Sequence, residues 1–338
     1  MTASAPLAQR LFARLAQGQP GDAPRVFRSG QALAAELGVS RSAIWKAAGQ
    51  LRALGVGVEA LRHEGYRLAR PTAPLDAARI AAALADAAGQ LRRGECVWQT
   101  PSTNAQLLAQ GGLAPEAFDF LAAEYQSAGR GRRGRSWVAP PGGALCLSYS
   151  WSFEVLPPAS GALSLAVGVT ALDALARCGI TGVGLKWPND LVTADGKLGG
   201  ILIELKSESG GPTHVVVGIG VNVALSPAVR EAVAQTGNRA TDLAALGHGS
   251  VDRNRLAAAL ITCGTRGLRQ FARSGFAPFI AAYRDADVLQ GLSIAVLGPQ
   301  STVTGTAAGI DADGALLLNG AAGAQRIVSG DVSVRTTS

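Results

Sequence analysis

The sequence predicts an α+β chain in three parts: a basic helix-turn-helix with a wing, a central body of strands and helices, and a small SH3-like barrel. Three observations predict it. Residues 1–70 carry ten Lys and Arg against four Asp and Glu, six of the seven net positive charges of the 338-residue chain. Residues 75–285 alternate apolar strand-like runs with helical stretches around one loop dense in Gly and Arg. Residues 286–338 are short alternating segments between Gly-Pro, Asp-Gly and Gly-rich turns, the pattern of a small antiparallel barrel.

With 48% hydrophobic and 16% charged residues the chain is globular. No apolar run is long enough to span a bilayer, so no membrane partner is expected. Gln9, Arg10 and Arg14 interrupt the stretch where a signal peptide needs an unbroken apolar core, and a cytoplasmic protein is expected. Cys96, Cys146, Cys178 and Cys263 have no paired spacing, and with His63, His214 and His248 they suggest no metal cluster. Small buried hydrophobes are the expected role of the thiols.

In the N-terminal part, Leu7–Ala16 places Leu7, Leu11 and Leu15 on one helical stripe. Ser29 caps an expected second helix, Gly30–Leu37, closed by Gly38. Ser40 caps a third that runs to Gly55, apolar along Ile44, Ala48, Leu51 and Leu54. Its other face carries Arg41, Ser42, Trp45, Lys46 and Arg52. Two short helices, a turn and then a predicted wing (Val56–Leu61, Gly65–Leu68) make a DNA-binding module. Ser42, Trp45 and Lys46 are the expected base contacts, with Arg28, Arg41, Arg52 and Arg62 on phosphates. Trp45 has two readings, a thymine methyl or the wing.

After the Pro-rich linker at residues 70–74, Leu75–Gln90 reads as one alanine-rich helix and Cys96–Thr100 as a strand. Ser102, Thr103 and Asn104 then start a helix, as caps or as partners of a small polar ligand. The strand Phe120–Tyr125 feeds a seven-residue loop holding Gly129, Gly131 and Gly134 with Arg130, Arg132, Arg133 and Arg135. Glycine admits close backbone approach and arginine forks onto carboxylate or phosphate, so the loop is expected to grip an anion and to lack order without one. A dinucleotide fingerprint is formally present, but no helix can open after Gly134 before the strand at Ala144. A Walker loop is absent.

Further on, Lys186 lies in an apolar strand beside Trp187-Pro188-Asn189-Asp190, costly unless it meets an anion, whether Asp190, Glu204 or a ligand. Gly199-Gly200 opens a strand ending near Glu204, and Gly218 and Gly220 precede Asn222 at the exit of another. Leu163–Ala176, Arg253–Phe271 and Phe276–Tyr283 read as helices. The tail strands are expected at Leu292–Leu297, Thr302–Ile310, Ala315–Leu318 and Gln325–Val328.

These motifs, taken in order with Tyr125-Gln126 and Trp137, resemble the biotin–protein ligases of the bacterial bifunctional type, which double as biotin-operon repressors. The resemblance covers nearly the whole chain, and five weak motifs in one order are specific. It implies a mixed sheet of the class II synthetase-like kind with helices on one face, an SH3-like cap and a homodimer formed on binding biotinyl-AMP. It implies that Ser102, Thr103, Asn104, Gln126 and Gly199 meet biotin. Arg130, Gly131 and Arg132 would close over its carboxylate and the phosphate, and Lys186 would bind the acyl-phosphate oxygens. Arg132, Arg133, Trp137, Asn189 and Asn222 would hold the nucleotide. The implied substrates are ATP and biotin with Mg²⁺, the implied partners a biotin carboxyl carrier domain and operator DNA. Pro101 stands where the family more often has an acid, Trp45 is unexpected, and Ser226–Asp242 offers no aromatic for adenine. Other readings of the same residues are a ligand-sensing repressor without turnover, and a lipoate–protein ligase.

Overall fold

The computed structural model describes residues 5–16, 26–111, 114, 116–207, 211–235, 239–297, 302–320, 323–328 and the backbone of 333–336. The turn expected at Gly298-Pro299 lies outside these residues.

The first helices are α1 (Leu7–Ala16), α2 (Gly30–Leu37) and α3 (Arg41–Ala53). Ser29 accepts from Gln31 N and Ser40 from Ala43 N, which satisfies N–H groups that the first turns leave open. Gly38 stops α2 at φ 64°, a left-handed position that glycine adopts without strain. The wing is β1 (Val58–Leu61) paired antiparallel with β2 (Gly65–Leu68). Leu11, Phe12, Leu33, Ile44 and Leu51 form the core of this module.

The central sheet uses β3 (Leu91–Thr100), β4 (Phe118–Gln126), β5 (Ala144–Phe153), β6 (Gly184–Lys186), β7 (Asp190–Thr193), β8 (Gly196–Ser207) and β9 (Thr213–Asn222). Their order is β3-β4-β5-β9-β8-β7-β6, and only the β3–β4 pair is parallel. This is the mixed sheet that the resemblance implied. Along β5 every residue is buried, but the two faces differ. Leu145, Leu147, Tyr149, Trp151 and Phe153 enter the main core, while Cys146, Ser148, Ser150 and Ser152 point the other way.

Two long helices, α6 (Leu163–Arg177) and α8 (Arg253–Ser274), cover the apolar face with α9 (Ile280–Ala286). Tyr149 reaches so far into α8 that a Cβ at Gly264 would sit 2.0 Å from its hydroxyl. The short α5 (Thr103–Ala109) lies on the opposite face, where Leu107 packs on Leu121 and Val216. Helices on one face alone therefore describes only the large ones.

The expected Leu75–Gln90 helix is broken. α4 covers only Ala77–Ala82, followed by a 3-10 turn over Ala85–Gln90. Alanine favours helix but has little surface to pack, so the two buried pins, Ile80 and Leu84, decide the path. Thr262 of α8 donates to the Leu84 carbonyl at 2.8 Å, diverting it from a helix. Similarly Phe276–Tyr283 is a 3-10 turn, Ala277–Phe279, ahead of α9, because Pro278 belongs to a first turn.

The tail is a five-stranded antiparallel sheet: β10 (Ser293–Leu297), β11 (Thr302–Ile310), β12 (Leu316–Gly320), β13 (Gly323–Ile327) and β14 (Ser333–Thr336), in the order β13-β12-β11-β10-β14. β14 was not expected from the sequence. Ile294, Val296, Ile310 and Leu316 run into the main core. Val288 N donates to Leu185 O at 3.0 Å, and Trp187 Nε1 donates to Gly314 O at 3.0 Å. No helix among the described residues is long and apolar enough to cross a membrane.

Candidate active site and nucleic-acid interface

The small-residue face of β5 and β9 floors a cleft of about 550 Å³. At one end α5 begins. Ser102 accepts from Ala105 N at 3.4 Å, so its hydroxyl serves as the helix cap while the residue lines the cleft. Thr103 N donates to Gln126 Oε1 at 2.8 Å, and Asn104 Nδ2 donates to Leu202 O at 3.0 Å. Ser148 Oγ donates to Asn104 Oδ1 at 2.6 Å and lies 2.7 Å from Thr103 Oγ1. These buried groups hold one another in fixed orientations, which is what discriminating a small polar ring requires. Gly218 makes room: its Cβ would stand 2.3 Å from Asn104 Oδ1.

The Gly-Arg loop is a hairpin, and no helix opens after Gly134. Trp137 N donates to Gly129 O at 2.9 Å and Gly131 N to Arg135 O at 2.7 Å. The tip is a 3-10 turn in which Arg133 takes φ 58°. Arg130 pairs with Glu204 at 3.1 Å and Arg133 donates to Leu297 O at 3.2 Å, so acceptors on other elements spread the arginines apart. Behind the hairpin Trp137 lies on bare backbone, with a Cβ at Gly220 only 2.6 Å from its ring. Its buried Nε1 finds only the Cys146 thiol, a weak acceptor.

Lys186 ends β6 and lines the same cleft as the hairpin, with Trp187 buried beside it. Of the two acids expected near Lys186, Asp190 binds Lys197 at 2.5 Å and Glu204 binds Arg130 at 3.1 Å. Asn189, expected at the nucleotide, lines the cleft but donates its side-chain amide to Ile201 O at 2.7 Å, holding the corner after Pro188. Asn222 lines it too and donates to Thr241 O at 3.0 Å, fixing the segment that follows. Gly199 does not line the cleft, contrary to expectation; Gly200 does. Gly199 is glycine because a Cβ there would meet Gly220 O at 2.5 Å.

Beyond Asn222, Leu225 and Val233 of α7 (Pro227–Ala234) give the cleft an apolar end, with Arg239 beside them. Residues 236–238 of the expected nucleotide segment are outside the described residues. Sequence reading missed Ser148, Lys197 and Arg239. Ser148 had a signal: strict alternation of large apolar with Cys or Ser from Leu145 to Phe153. Burial pushes the Cys146 thiol up to about 12, so it stays protonated and is no nucleophile. Among the described residues there is no group of three or more metal-binding side chains.

Beneath the hairpin stems lies an ion pair that was also missed. Arg253 binds Glu124 at 2.8 and 3.0 Å, and both are buried. Arg253 also donates to Ala144 O and Ala73 O, while Glu124 accepts from Leu75 N and Gly142 N. One buried pair thus ties the linker to both roots of the loop. The N-terminal module docks on the same strip, with the Phe12 ring tilted against Trp98 at 5.5 Å and Trp98 edge-on to Tyr125 at 5.7 Å.

On that module Arg41, Ser42, Trp45 and Lys46 are exposed as expected. Arg52, expected on phosphate, donates its Nε to Val58 O at 2.8 Å and anchors the wing. Arg28 is likewise engaged, by Glu36 and Arg14 O. Trp45 does not pack on the wing; it is 65% exposed.

Fold and cleft together define a ligase fold joined to a winged helix-turn-helix. Residues 96–222 match the Biotin/lipoate A/B protein ligase family, residues 291–335 the biotin protein ligase C-terminal domain, and residues 25–67 a helix-turn-helix domain. The chain is 37% identical to the bifunctional ligase/repressor BirA of Escherichia coli over 97% of either chain. It is 35% identical to the biotin–[acetyl-CoA-carboxylase] ligase of Mycobacterium tuberculosis, over 77% of this chain and 95% of that one. A biotin protein ligase from Aquifex aeolicus, solved with biotin and ATP, superposes with a TM-score of 0.60 at 25% identity, covering 73% of this chain and all of that one. The chain belongs to the biotin protein ligase family, in the form that carries a helix-turn-helix repressor domain.

Proposed function

We propose that the protein activates biotin with ATP and transfers it to a lysine of a carrier domain, and that its loaded form represses transcription. The observation that carries this reading is that Lys186 and the arginine hairpin line one cleft together with Thr103 and Asn104, whose side chains Ser148 holds. A carboxylic acid lying along that floor puts its ring on the fixed polar groups and its carboxylate between cations. Attack of that carboxylate on the α-phosphate expels pyrophosphate; the carrier amine then attacks the acyl carbon of the mixed anhydride and expels AMP.

Neither step needs a protein nucleophile, in keeping with the inert Cys146. Positioning and charge neutralisation carry the rate. Lys186 neutralises the carboxylate and then the acyl-phosphate oxygens; Arg132 and Arg130 close over the anhydride and keep water from it. Trp137 and Asn222 shape the nucleotide end. The acid among the lining residues is Asp190, held by Lys197 at 2.5 Å, so a Mg²⁺ ion there would take most of its ligands from phosphate and water, as this cation prefers. Bound there, it would offset triphosphate charge.

The reading includes a division at residues 1–70, 75–285 and 286–338, a cytoplasmic location, a carrier-domain substrate, operator DNA on α3 and a homodimer formed with biotinyl-AMP. Incubation with ATP, Mg²⁺ and either biotin or lipoate, then mass identification of the bound adenylate, tests it. Biotinyl-AMP is expected; lipoyl-AMP alone, or no adenylate, rejects the reading.

A further inference from the structure

The exposed face of α3 holds two residues that the fold does not ask for. Trp45 keeps 65% of its surface in solvent, among the largest exposures of an apolar side chain on the molecule. The central body is met at the far end of the helix from Trp45, where Gly55, just past α3, lies against Pro140 and Val229. One turn along, Gly49 sits mid-helix and exposed, where glycine weakens a helix relative to alanine. Packing does not require it, since a Cβ at Gly49 would meet nothing within 4 Å. Arg41, Trp45 and Gly49 recur every four residues and so share one side of α3, while Ile44, Ala47, Ala48 and Leu51 bury the other. A flat indole beside bare backbone, framed by Arg41 and Lys46, matches a polyanion that comes close enough to touch the helix itself.

We propose that Trp45 reads the 5-methyl group of a thymine in the major groove and that Gly49 is the notch that lets α3 sink far enough for it to do so. The inference rests on the DNA-binding reading of this module. In the major groove the thymine methyl is the apolar feature that distinguishes one base pair from the others, and apolar side chains are what read it. In this proposal Trp45 takes the base edge, so Lys46, expected at a base from the sequence, joins Arg41 on the phosphates, which set register and leave the base unread. An alanine methyl at position 49 would stand where the groove must approach.

The test begins with the full-length wild type, ATP, biotin and Mg²⁺, and a pool of duplexes with a randomised centre. Bound duplexes are recovered at low salt, and each thymine of the selected site is then replaced by uracil, which differs only by the methyl. Affinity is expected to fall about fourfold at one or two positions, the value of one buried methyl group. Gly49→Ala is expected to melt at a higher temperature and yet bind the selected duplex about tenfold more weakly, a combination that a purely structural glycine would not give. Uracil duplexes bound as tightly as thymine ones, a selected site without thymine, or Gly49→Ala binding DNA undiminished would each overturn this inference and leave the module a DNA binder. Failure to retain any duplex even at low salt would overturn the DNA-binding reading itself.

Discussion

Two stretches of this chain are rich in cations, the hairpin at residues 129–135 and the outer face of α3, and they differ in shape. The hairpin folds over a concave floor whose polar groups are already fixed by Asn104, Thr103 and Ser148. The helix presents Arg41 and Lys46, both exposed, on a convex surface. Charge density alone would make both nucleic-acid patches. Curvature separates them, because a small anion needs donors that converge and a long polyanion needs donors that spread.

Loss of the link between the two regions should have the largest effect. Arg253→Met leaves Glu124 buried and unpaired, a loss of about 3–5 kcal/mol. Urea unfolding should show it, and a loss below about 1 kcal/mol would deny the pair its role as the clamp on linker and loop roots. Lys186→Ala should lower biotin-dependent pyrophosphate release by roughly 10²–10³-fold, the usual cost of removing one charge-stabilising donor. Near-normal release would move the anion away from Lys186.

Arg132→Gly should release biotinyl-AMP roughly 10–100-fold faster, as removal of one hydrogen bond to a charged group implies, and label lysines of bystander proteins. Retention of the adenylate at the wild-type rate would separate the hairpin from water exclusion. On the convex side, Lys46→Ala should weaken all duplexes alike and lower the slope of log affinity against log salt by about 1. A loss confined to one sequence would make Lys46 a base reader. The smallest effect concerns His214. Burial holds its imidazole below the usual value of 6.5, so the unfolded chain takes up the proton first. Stability should therefore be flat above about pH 6.5 and fall below it, and His214→Asn should flatten that decline in melting curves.

Much of this was legible in the sequence where one residue type carries its own geometry. Gly129, Gly131 and Gly134 announced a turn, and Ser29 and Ser40 announced caps. What stayed hidden depended on partners far along the chain. Arg253 lies 129 residues from Glu124, and nothing local to either marks the pair. The break at Leu84 depends on Thr262, and the exclusion of Gly199 from the cleft depends on which way one strand faces. Ser148 was readable in principle, since β5 alternates without exception, but serine in an apolar strand carries no label of its own.

The barrel at the C-terminus lines none of the cleft among the described residues, yet it holds both banks: Leu297 O takes Arg133 from the hairpin and Gly314 O takes Trp187 beside Lys186. A chain ended after Ala286 would keep the side chains that line the cleft and lose the yoke that keeps them in one frame. Truncation there should therefore mimic an active-site lesion, and a catalogue of lining residues would miss the reason.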